Sequence, residues 1–168
     1  MESNQSENHK QLGALIHLST FAKFFFPFGN FFLPLLIWSF NKEKPFVDEH
    51  GRQAINFQLS ILLYTLTIGL LCIPFFLIFA TDFVALIESI EHTVNGLTIN
   101  SITNITGFIV LFGIVALLLF GIFIFELYAV ISATMHAARG LYYKYPLSIP
   151  FLKNNSPIEN QSNHEHSV

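Results

Sequence analysis

The sequence predicts an all-α integral membrane protein with four hydrophobic helical segments, and three observations carry that prediction. Of 168 residues, 52% are hydrophobic and only 11% are charged, against about 25% charged in an ordinary soluble domain. The stretch 59–80 contains no charged residue and is long enough to cross a bilayer. Lysine and arginine flank the apolar stretches on one side only, as they do in membrane proteins of defined orientation.

The elements follow in order. A polar tail, 1–11, gives way to an apolar segment, 12–26, interrupted by His17, Ser19, Thr20 and Lys23. No short apolar core with a small-residue cleavage site precedes it, so this segment is expected to stay as an anchor. Pro27-Phe28-Gly29-Asn30 marks a turn, and a second segment, 31–40, follows. At 1.5 Å per residue these two reach only about 22 and about 15 Å, short of a hydrocarbon core of about 30 Å. They form a short hairpin, which either penetrates and returns or crosses as two tilted spans. Lys10 and Lys23 can lengthen its first arm by snorkelling.

Asp48 is placed to cap the third helix. The polar turns 49–57 lead into the third segment, 54–80, where Pro74 is expected to kink the helix. The region 81–104 holds Asp82, Glu88 and Glu91 but no lysine or arginine. It reads as a polar loop carrying a short amphipathic helix on the membrane surface. The fourth segment, 105–139, is stopped by Gly140, which follows Arg139. Tyr142, Tyr143 and Tyr145 are positioned as an interfacial aromatic belt, and 153–168 reads as a disordered polar tail. The membrane domain is therefore expected over 12–152. Lys42, Lys44 and Arg52 precede the third segment, and Arg139, Lys144 and Lys153 follow the fourth. Both termini should accordingly lie on one side, the cytoplasmic side.

Polar groups at membrane depth need an explanation, because each costs about 2.5–3.5 kcal/mol on insertion scales. Glu126, inside the fourth segment, is either a carboxylate that handles protons or cations or a structural group facing the bundle. His17 is placed to pair with it. Asn56 and Gln58 enter the third segment as amides suited to linking helices. Ala129, Ala133 and Ala137 recur every fourth residue and form a smooth stripe for a second helix, from this chain or a partner. The cluster Asp48-Glu49-His50 lacks the three- or four-residue spacing of a helical metal pair, so no metal is expected. Cys72, alone in an apolar run, has no base beside it and reads as inert. A net charge of −3 does not suggest a nucleic-acid partner. No catalytic constellation or cofactor fingerprint is present.

Three stretches carry a resemblance: Gly29-Asn30-Phe31-Phe32-Leu33-Pro34-Leu35-Leu36-Ile37-Trp38, Pro45-Phe46-Val47-Asp48-Glu49-His50-Gly51-Arg52-Gln53-Ala54-Ile55-Asn56-Phe57-Gln58, and Tyr143-Lys144-Tyr145-Pro146-Leu147. The chain resembles an uncharacterised family of small bacterial polytopic membrane proteins, distantly similar to the chloroplast inner-envelope import translocon (Tic-type) subunit. The likeness runs over about residues 10–152. It implies four helical segments with both ends on one side and an accessory or channel-lining role in moving proteins across or into membranes. The function expected is a non-enzymatic scaffold or accessory subunit of a membrane complex. Its partners would be the lipid bilayer and another membrane protein or a second copy. The alternative is a small oligomeric transporter or channel using His17 and Glu126.

Overall fold

A computed structural model describes residues 6–92 and 99–153, with side chains described for 6–77, 107 and 109–153. Among the described residues four α-helices follow one another: α1 (Glu7–Ser19), α2 (Gly29–Ser39), α3 (Pro45–His92) and α4 (Ile99–Ala138), with a 3-10 turn, Thr20–Phe24, after α1. Among the described residues there is no strand. The chain divides into two compact units, Met1–Ser60 with Tyr128–Val168, and Ile61–Leu127.

Every helix starts earlier than expected, and α3 also ends later. α1 starts at Glu7, not residue 12, because the Ser6 side chain accepts the His9 N–H and closes the first turn. α3 starts at Pro45, whose missing N–H costs nothing at a first helical position. Asp48 is thus inside the helix and is not its cap. The expected polar loop 81–104 is helical up to His92 and again from Ile99. No proline or glycine lies between Pro74 and His92, so nothing in that stretch breaks the backbone ladder. The side chains of the expected surface helix and the disorder expected of the tail both fall outside what is described.

The first unit is a packed bundle around the hairpin. Phe28 takes a left-handed conformation, φ 61°, which turns the chain into α2. A Cβ on Gly29 would stand 2.5 Å from the backbone C and O of Ala22, so the two arms of the hairpin meet backbone to backbone there. On α3, Val47, His50, Ala54 and Phe57 are buried along one helical face. On α1, Gly13, Ile16 and His17 do the same, with Thr20 buried just past its end. Ile16, Val47 and Ala54 form a core against which Leu12, Ile37 and Trp38 pack. Ala129, Ala133 and Ala137 are fully buried. A Cβ on Gly13 would touch Ala137 at 3.4 Å, so the lower part of the alanine stripe is covered by α1 of the same chain. α4 ends as expected: Gly140, φ 78°, donates to the Ala137 carbonyl and Leu141 N–H reaches back to His136 O at 2.9 Å, a Schellman closure.

The second unit is apolar outward. Two helical stretches, Pro45–Leu77 and Ile109–Ala138, are long and apolar enough to cross a membrane, and their most apolar windows are only 11% and 6% buried. The core helix of a water-soluble protein would be largely covered, whereas Leu70, Phe76, Phe112 and Leu117 are all exposed. α2 is a shorter apolar helix, Gly29–Ser39, in keeping with a short hairpin.

Candidate functional site

Inside the first unit a line of buried polar rings joins three parts of the chain. His17, from α1, places Nε2 2.8 Å from His50 Nδ1 on α3. On its other side the hydroxyl of Tyr145, from the segment after α4, lies 2.9 Å from His17 Nδ1. His17 and His50 are fully buried and Tyr145 is nearly so. Aromatic rings wall the line: Phe57 stacks on Tyr145 at 4.1 Å, Phe46 meets His50 edge-on at 4.4 Å, and Tyr142 lies parallel to His50 at 6.1 Å.

One set of neutral tautomers satisfies the line. Tyr145 O–H donates to His17 Nδ1, His17 Nε2–H donates to His50 Nδ1, and His50 carries its remaining proton on Nε2. That last nitrogen is buried without a hydrogen bond of normal geometry, with the backbone of Leu141 alongside.

His17 thus has both ring nitrogens engaged, one by His50 and one by Tyr145. Glu126 is itself buried, 3% exposed, in the second unit, and it has a contact of its own. Tyr145 does not belong to an interfacial belt, because its hydroxyl is sealed inside; Tyr142 stays exposed.

The motif from Pro45 to Gln58 is now explained residue by residue. Trp38 Nε1–H donates to Asp48 Oδ1 at 2.8 Å, and Arg52 pairs with the other oxygen of that carboxylate. Gly51 makes room for the indole, since a Cβ there would stand 2.4 Å from Trp38 Cγ. Gln58 Oε1 accepts from Asn30 at 2.8 Å and links α2 to α3. Asn56 does something else. Its amide donates to the Leu152 carbonyl at 3.0 Å and accepts the Leu152 N–H at 2.8 Å. Ser60 Oγ accepts the Ile149 N–H at 2.8 Å, and Arg52 donates to the Lys153 carbonyl at 2.9 Å. Asn56 thus ties α3 to an extended strap, 148–153, and not to another helix. Among the described residues no group of three or more His, Cys, Asp and Glu is placed to hold a metal ion.

Residues 8–152 match the model of the magnetosome magnetite crystal formation protein family, MamF/MmsF. The chain belongs to that family. No curated protein and no solved structure matches it. The MamF/MmsF match spans α1 through the strap and so includes the whole ring line and the Trp38–Asp48–Arg52 lock. It agrees with the expected family of small bacterial membrane proteins, and it lends no support to the likeness to an import translocon. Missing from the sequence reading were His50 and Tyr145 as partners of His17. The available signal was the helical spacing that puts His50 on the same face as Val47, Ala54 and Phe57.

Proposed function

We propose that this MamF/MmsF-family chain is a non-enzymatic, multi-pass membrane protein that serves as a scaffold or accessory subunit of a membrane complex. One observation carries the reading. Polar side chains of chemically capable type (His17, His50, Tyr145, Asn56 and Gln58) are turned inward and engaged in joining elements. The helices of the second unit present leucine and phenylalanine outward, as lipid or an apolar partner requires. The family's description concerns magnetite crystal formation, and a membrane scaffold is one component such a process would use. A link to protein translocation rests on the resemblance of the three stretches alone.

The chain is read as residing in the bacterial inner membrane with both termini cytoplasmic. The one-sided lysine and arginine support this. So does the proximity of the two ends: a Cβ on Gly140, just past α4, would lie 3.1 Å from Lys10 Cε near the start of α1. Purification of the tagged chain from its native membrane in mild detergent tests the scaffold role. A stoichiometric companion or a defined oligomer is expected; elution alone at monomer size counts against it. The second reading, an oligomeric transporter or channel, is favoured only by burial of the Glu126 carboxylate. Glu126→Gln should then abolish proton or ion flux in vesicles, and unchanged flux removes that reading.

A further inference from the structure

The line of rings has a property that goes beyond a scaffold role. His17 Nε2 and His50 Nδ1 face each other at 2.8 Å, so the contact needs one proton between them and one free lone pair. With both imidazoles neutral that condition holds. With one proton added it can still hold, although a buried charge is costly in such surroundings. With both imidazoles protonated it fails, because two N–H groups and two positive charges then oppose each other across the same gap.

The surroundings offer the added charge little. α1 contributes His17 itself. α3 contributes His50 itself between Phe46 and Phe57. α4 contributes Ala137, against Gly13, and His136, whose ring packs on Tyr143 while its Nδ1 meets the Ser132 carbonyl at 2.7 Å. The segment after α4 contributes the phenols of Tyr142, Tyr143 and Tyr145. On α3 the Asp48 carboxylate bonds to Trp38 and Arg52, and Glu49 accepts from Gln53.

We propose that His17, His50 and Tyr145 form a proton-operated latch, closed when at least one facing imidazole is neutral and released when both are protonated, which frees α1 from α3. The strap would stay on α3 through Asn56 and Ser60, so release separates the hairpin and leaves the C-terminal segment in place. The opening would uncover the small-residue surface of Gly13 and Ala137.

Spin labels at Gln11 on α1 and Gln53 on α3, in full-length Cys72→Ser protein in lipid nanodiscs, test this by distance measurement from pH 8 to pH 4.5. A distance distribution that lengthens on acidification, with more than one proton taken up per transition, is expected. His50→Gln keeps a polar group that does not titrate and should stay closed throughout; Tyr145→Phe should open at higher pH than wild type. An unchanged distance over the whole range overturns the latch, and so does opening of His50→Gln at the wild-type pH. Should that variant not fold, nitrogen-15 histidine spectra of the wild type decide. Protonation of both imidazoles without a distance change also overturns it, whereas coincidence of the two supports it. None of these outcomes bears on whether the protein has a membrane partner.

Discussion

His17 and His50, 33 positions apart in sequence, share one hydrogen bond of 2.8 Å between fully buried rings, and that bond joins α1 to α3. Tyr145 completes the connection from the far end of the chain. Removing the phenol should show what the connection contributes. Tyr145→Phe keeps the stacking on Phe57 but leaves His17 Nδ1 buried without a partner. A loss of about 1–3 kcal/mol is expected, read as a lower unfolding midpoint in detergent. A midpoint equal to wild type would mean that the hydroxyl contributes nothing.

Gly51 supports a second prediction about packing. A methyl group at that position would meet Trp38 Cγ, Cδ1 and Cδ2 within 2.8 Å, at the root of the indole and not at a flexible tip. Gly51→Ala should push the ring out and break its bond to Asp48, at a cost of about 1–3 kcal/mol from overpacking. Trp38 is the one tryptophan of the chain, so its emission reports the change directly. Fluorescence indistinguishable from wild type would contradict the packing described.

Asn56 holds Leu152 by both backbone groups, and Leu matches neither. Asn56→Leu should free the strap and destabilise the first unit by about 1–3 kcal/mol for each polar group left unpaired. Limited proteolysis from the C-terminal side should cut earlier in the variant. Equal protection would show that Ser60 and Arg52 hold the strap unaided.

Gly140, at φ 78°, should tolerate no side chain without strain. Gly140→Ala should cost about 1 kcal/mol through the left-handed backbone. Its neighbour Lys10 must also give way, since Cε stands 3.1 Å from the new methyl. Calorimetry against wild type measures the sum.

The long apolar stretches, the turn at Pro27–Asn30 and the stop at Gly140 were legible from sequence, because each rests on local chemistry: uncharged length, ring closure, positive φ. Gln58 was also legible as a helix-linking amide. The helix ends at Glu7, Pro45 and His92 were not, since charged residues such as Glu49 and Glu88 look like loop yet are good helix formers when nothing breaks the ladder. The ring line was hidden for a different reason. His17, His50 and Tyr145 are brought together by tertiary packing across more than 120 positions, and no local pattern encodes such a meeting. Tyr145 in particular sits beside Tyr142 and Tyr143, where three phenols in four positions suggest an interface and only one turns inward.

The first unit draws on both ends of the chain, Met1–Ser60 and Tyr128–Val168. During synthesis, then, His17 and His50 must wait for Tyr145, which follows His50 about 5–20 s later at ordinary bacterial translation rates of roughly 5–20 residues per second. Throughout that interval the early hairpin has its polar rings uncovered and its closing piece still inside the ribosome. A nascent chain arrested before Tyr145 would be an unsealed bundle, exposed to membrane quality control in a way that the finished protein is not.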